Sequence, residues 1–127
     1  MNIGVLSLQG AFSKHMHLLK TIGVNPVNVR YSDDLLNLHG LIIPGGESTV
    51  LSKLIMKQSL YEPLNEFISK FPVYGTCAGL ILLSKTIENN KLVRSFEKLD
   101  ISIKRNAWGR QINSCLLYTS DAADEVD

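Results

Sequence analysis

Short apolar runs alternate with segments of helical spacing along most of this chain, and few architectures accept that order. Asn2–Leu8 is apolar and ends in Gln9-Gly10. Phe12, Met16, Leu19 and Ile22 then recur at helical intervals with polar residues between, and Gly23 supplies a stop. Pro26–Val29 and Gly40–Ile43 read as the second and third strands, the latter closed by Pro44-Gly45-Gly46. Ser48–Met56 and Pro63–Ile68 read as helices, the second with proline in its first turn. Val73–Gly75 is a fourth strand that runs into Thr76-Cys77-Ala78-Gly79, and Ala78–Lys85 follows as a buried helix. Leu99, Ile101 and Ile103 alternate with polar residues, the period of a strand with one wet face. Strands separated by helices imply βαβ units and a three-layer α/β domain with a mostly parallel sheet. In such sheets, ligands bind outside the carboxyl ends of the strands. Both glycine-rich segments fall at that edge.

The 127 residues suffice for one domain with a real core, and 45% hydrophobic with 20% charged residues is ordinary for a globular protein. No apolar run reaches the roughly 18 residues of a membrane span, so no membrane association is expected. The start lacks the basic segment of a signal peptide. Two cysteines, Cys77 and Cys115, make no disulfide framework, so a cytoplasmic location is expected. All 13 Lys and Arg precede residue 115, but they are scattered rather than clustered, which argues against a nucleic-acid partner.

Gly75-Thr76-Cys77-Ala78-Gly79 has the pattern of a nucleophile elbow with cysteine in the serine position. A sharp strand-to-helix turn lifts the side chain above the sheet, and small neighbours let the backbone pass. A thiol at a helix N-terminus is biased toward the reactive thiolate. The N–H of Ala78 would be free to bind a developing oxyanion. The plainer reading is a buried structural cysteine between glycines. Pro44-Gly45-Gly46-Glu47-Ser48-Thr49 is a second turn at the same edge, without P-loop spacing. Alone it could be a tight turn in which Glu47 or Ser48 starts the next helix. Beside a cysteine elbow it is expected to supply a second oxyanion donor and a substrate loop.

Leu8-Gln9-Gly10, Pro44–Thr49, Gly75–Leu80 and Arg105-Asn106-Ala107-Trp108-Gly109-Arg110-Gln111 occur in this order. The set resembles the PdxT/SNO glutaminases, the class I amidotransferase subunit of pyridoxal 5′-phosphate synthase, over residues 1 to about 114. The elbow alone would suit any class I amidotransferase; the Gln9-Gly10 and Arg105–Gln111 segments narrow the likeness. Trp108 stands where the family usually has Phe. The resemblance implies a flavodoxin-like class I amidotransferase fold, incomplete at the C-terminus. It implies that Cys77 attacks L-glutamine through a thioester, releasing ammonia and glutamate for vitamin B6 biosynthesis. It implies no cofactor and no metal. Gly46, Glu47 and Ser48 would contact the substrate, with the Gly46 and Ala78 N–H groups at the oxyanion. Arg105 would bind the glutamine, its fork suited to the α-carboxylate. Gln9 and Gly10 would face the synthase partner, a (β/α)8 barrel.

A cysteine amidase also needs a base and a group to orient it. The family has them in a later H-x-E segment, which this chain lacks; its histidines are His15, His17 and His39. His39 precedes strand three while Cys77 follows strand four, on the order of 15 Å away along parallel strands. His15 and His17 lie on adjacent faces of the first helix and are expected as a partly buried and a solvated side chain; at i,i+2 they point apart, which disfavours a metal pair. Family-like sequence is expected over 1–114 only. Residues 115–127 carry Asp121, Asp124, Glu125 and Asp127 with no base. The segment from Cys115 is similar to the translation of a transposase adapter used in sequencing-library preparation. It is expected to be a non-native tail, loosely placed and without core contacts, leaving a truncated and inactive fragment. Two other classes remain open: a non-catalytic flavodoxin-like module binding a partner through its Gln9 edge and first helix, and a PfpI-type cysteine hydrolase.

Overall fold

The computed structural model describes residues 1–10, 12–76, 78–88, 93–104 and 115–117. Asn2–Leu6 forms β1, Phe12–Thr21 forms α1 and Asn25–Val29 forms β2. A 3-10 turn at Ser32–Leu35 leads into β3, Gly40–Ile43. Then follow α2 (Ser48–Lys57), α3 (Tyr61–Ile68), β4 (Val73–Gly75) and α4 (Ala78–Leu83). Ser84–Glu88 is β5, Leu99–Lys104 is β6 and Cys115–Leu117 is β7.

The main sheet runs β2-β1-β3-β4-β7. Its first four strands are parallel, with Val5 opposite Asn28 on one side and Ile42 on the other. The alternation of side chains along β1 divides the molecule into layers. Leu6 joins the large cluster that includes Leu51 and Ile55 of α2, Leu64, Phe67 and Ile68 of α3, and Ile81, Leu82 and Leu83 of α4. Val5 and Leu19 of α1 are buried outside that cluster. The sheet is therefore covered by α2, α3 and α4 on one face and by α1 on the other. This is the expected three-layer α/β domain with a mostly parallel sheet.

Local chemistry sets the element ends. The Glu47 carboxylate accepts from the N–H groups of Thr49 and Val50 at 3.0 and 3.1 Å, which starts α2. Gly23, at φ 83°, ends α1 in the left-handed region where glycine carries no Cβ penalty.

Two elements depart from the sequence reading. The helix expected over Ala78–Lys85 stops at Leu83, and Ser84–Glu88 becomes β5, paired in parallel with β6 in a separate two-stranded sheet. The Ser84 hydroxyl donates to Ile81 O at 2.6 Å, drawing off one carbonyl of the last turn. The start of the tail was expected to lie loose. Instead β7 pairs antiparallel with β4, Leu116 opposite Tyr74. Without β7, β4 would be an edge strand with unpaired backbone groups, and the pairing satisfies them. Residues 118–127 lie outside the described residues.

Candidate active site

The chain passes from β1 to β2 on one side and then to β3 on the other, so the sheet reverses between β1 and β3. That switch point is where doubly wound sheets bind ligands, and the segments leaving β1, β3 and β4 converge there. The end of β1 is tied to β2: Ser7 N–H donates to Val29 O at 2.9 Å. The Ser7 hydroxyl lies 2.8 Å from Val5 O and 2.7 Å from the Asn28 carboxamide. Beyond it, Gly10 takes φ 88° and Gly46 takes φ 151°.

These glycines are required by proximity as well as by φ. A Cβ on Gly10 would collide with the Gly45 carbonyl oxygen, and one on Gly46 with Oε1 of Gln9. The β4 turn is equally close. A Cβ on Gly79 would collide with Ile43 O, and one on Gly75 would lie 2.8 Å from the Gly79 carbonyl carbon. Thr76 N–H donates to Ile43 O at 3.2 Å, and Gly79 N–H donates to Thr76 O at 2.8 Å. Three turns thus meet closely, backbone against backbone at Gly10 and Gly79 and against the Gln9 side chain at Gly46. Neither Ile43 nor Thr76 carries a sequence signal for this role, because both act through main-chain atoms.

The structure brings together most of the residues singled out from sequence. Gln9 turns its carboxamide inward against Gly46, and its Oε1 is buried with no hydrogen-bond partner among the described residues. Gly10 and Gly46 are exposed, Ser48 is buried, and Glu47 is the α2 cap. Ala78 opens α4, directly after the elbow position. Cys77 and Arg105, the expected nucleophile and carboxylate binder, lie outside the described residues, as does the 105–111 segment.

The histidines sit where their sequence positions suggested. His39 is at the amino end of β3, its N–H donating to Asn2 O at 2.8 Å and its Nδ1 accepting from Asn2 N–H at 3.0 Å. His15 is half-buried and His17 exposed on α1. Burial lowers the His15 pKa below its ordinary 6.5. Among the described residues, no three His, Cys, Asp or Glu side chains gather as metal ligands, and no helix is long and apolar enough to cross a membrane.

Several known proteins are similar to this chain. The chain is 47% identical over 116 residues to "Pyridoxal 5′-phosphate synthase subunit PdxT" of Dehalococcoides mccartyi, covering 90% of this chain and 60% of that protein. Proteins of the same description match from Carboxydothermus hydrogenoformans, at 48% over 115 residues, and Oceanobacillus iheyensis, at 50% over 113. These alignments cover 90% and 88% of this chain, and 60% and 56% of the respective relatives. The chain therefore spans a little under two thirds of the length of the curated relatives it matches. A solved structure described as a glutamine amidotransferase superposes with a TM-score of 0.78 at 37% identity, covering 86% of this chain and 59% of that one. The sequence model of the SNO glutamine amidotransferase family matches residues 5–121. That match extends past Ser114, where the family likeness was expected to stop. With the switch-point turns in place and the match running through nearly the whole chain, the protein belongs to the SNO glutamine amidotransferase family.

Proposed function

We propose that this chain carries the nucleophile half of a glutaminase that releases ammonia for pyridoxal 5′-phosphate synthesis. The observation that carries the reading is the convergence of three glycine turns at one sheet edge, with Gly79 against Ile43 and Gly46 against Gln9. These close approaches bring the turns that would carry the nucleophile and the oxyanion donors to one edge of the sheet. Cys77 Sγ attacks the carboxamide carbon of L-glutamine, and the Gly46 and Ala78 N–H groups stabilise the tetrahedral oxyanion. The C–N bond breaks and the departing nitrogen takes a proton to leave as ammonia. Water then hydrolyses the thioester to glutamate and returns the thiol. Arg105 holds the substrate α-carboxylate, and Glu47 and Ser48 shape the loop around it.

The proton traffic needs a base that this chain does not place: His39 is at the amino end of β3 and His15 and His17 are on α1. The family's His-x-Glu segment would supply it. The partner is a (β/α)8-barrel synthase subunit met through the Gln9-Gly10 edge, in the cytoplasm. The division into a native part, 1–114, and a non-native tail, 115–127, belongs to the same reading. The test is to join residues 1–114 to the family's continuation and assay ammonia release from glutamine. Activity that vanishes in Cys77→Ala is the expected result, with none above background in the 127-residue chain. Ammonia release by the 127-residue chain that Cys77→Ala abolishes would overturn the reading of the missing base. An extended, folded, inert chain would overturn the glutaminase assignment.

A further inference from the structure

Between β5 and β6 the chain runs without helix or strand from Val93 to Lys98, yet it is one of the most tightly tied segments of the molecule. Val93 and Phe96 are buried in the main core. Arg94 N–H donates to Ser52 Oγ of α2 at 3.0 Å. The Tyr61 hydroxyl of α3 donates to Ser95 O at 2.7 Å. The Arg94 guanidinium lies 3.8 Å over the Tyr61 ring, which stacks on Phe96 at 4.8 Å and 14°. Lys98 Nζ donates to Ser69 Oγ at 3.0 Å. The other side of this strap faces α4: Phe96 N–H donates to Leu82 O at 2.6 Å and Lys98 N–H to Leu83 O at 3.0 Å. With Ser84 Oγ on Ile81 O, the last three carbonyls of α4 are all engaged.

A helix of six residues cannot hold itself in water, because nucleation costs more than so few internal bonds return. Its register must come from what grips its ends. At the start of α4 the grip is Gly79 N–H on Thr76 O and the close approach to Ile43. At the finish it is the strap. We infer that the segment 93–98, latched by the Arg94–Tyr61–Phe96 stack, positions α4 and thereby sets the reactivity of Cys77, the residue that immediately precedes the helix. This rests on the reading of Cys77 as the nucleophile. Tyr61, Arg94 and Phe96 are positioning residues, since they reach the reacting atom only through the helix.

The test uses the 127-residue chain with Cys115→Ser, which leaves one thiol, and follows iodoacetamide alkylation of Cys77 against pH. Circular dichroism first establishes that each variant is folded. Tyr61→Leu, which removes both ring contacts and the hydroxyl, should slow alkylation at neutral pH by about threefold or more and move the profile toward that of an ordinary thiol. Tyr61→Phe, which keeps the stack, should retain most of the reactivity. Phe71→Leu, a change on the Phe67–Phe71 pair away from the strap, should leave the profile in place. If Tyr61→Leu does not fold, Arg94→Ala on the exposed side of the latch carries the same expectation. A folded latch variant with the parent profile overturns the proposal, and so does an equal shift in Phe71→Leu. If the parent Cys77 itself alkylates as an ordinary thiol, the nucleophile reading falls first and the strap's role falls with it.

Discussion

Gly10 and Gly23 share a left-handed backbone, at φ 88° and 83°, yet a methyl group should affect them differently. Around Gly23 nothing lies within 4 Å of an added Cβ, so Gly23→Ala meets only the conformational penalty, about 1–2 kcal/mol. At Gly10 the Cβ also meets the Gly45 carbonyl, which belongs to another turn and cannot swing aside as a side chain would. Gly10→Ala should therefore cost more than Gly23→Ala by at least about 1 kcal/mol, read as a difference in urea midpoints. Equal losses would mean that the Gly10–Gly45 approach is looser than described. His15 gives a second residue-level expectation. Burial keeps its ring neutral in the fold to lower pH than in the unfolded chain, where it protonates near 6.5. The unfolded state then binds more protons, so stability should fall as pH drops below about 6.5. His15→Gln should flatten that part of the urea-midpoint profile between pH 5 and 7; an unchanged slope would place its origin elsewhere.

At the scale of elements, α2 depends on Glu47 for its first turn, and Glu47→Ala should cost about 0.5–2 kcal/mol. Amide exchange should quicken at Thr49 and Val50 first; uniform quickening across α2 would argue against a local cap. The strands and helices up to Ala78 were legible because each pairs a clear period with glycine or proline punctuation. Gly40–Ile43 and Val73–Gly75 match the observed strands residue for residue. The end of α4 was not legible. Leu80 to Leu83 is apolar without a period, and two of the three bonds that end the helix come from residues 96 and 98, beyond any local window. For the site, sequence identified the glycines through the elbow pattern at 75–79 and the Gly45-Gly46 turn at the same sheet edge. It could not show Gln9 turned inward on Gly46, since the direction of a side chain between two turns depends on the loop facing it. Nor could it reveal the Arg94–Tyr61 stack, whose partners are 33 positions apart and joined by no shared motif.

Taken whole, the molecule has a centre and a late shell. β1 is paired on both sides, by β2 and β3, and Leu6 is fully buried beneath α2, α3 and α4. The strap and β6 attach at the other end of the sequence. Leu6→Ala and Phe96→Ala should both destabilise heavily, by about 2–5 and 3–5 kcal/mol. The kinetic signature should separate them: Leu6→Ala mainly slows folding, while Phe96→Ala mainly speeds unfolding, as read from the two arms of a denaturant chevron. The reverse partition would put the nucleus at the strap.

The central place of β1 has a consequence for how the protein is made. A ribosome releases β1 first, but β3, its second neighbour, ends at Ile43. At about 5–20 residues per second, the strand destined for the middle of the sheet waits roughly two to seven seconds for that partner to be synthesised. Val5 and Leu6, buried in the finished fold, have no β3 beside them during that interval. Residues up to Ile43 contain all three central strands, β2-β1-β3, and α2 follows them in the chain. Among the parallel strands the order along the chain runs outward from β1, so translation speed across residues 7–43 sets how long β1 waits for its second neighbour.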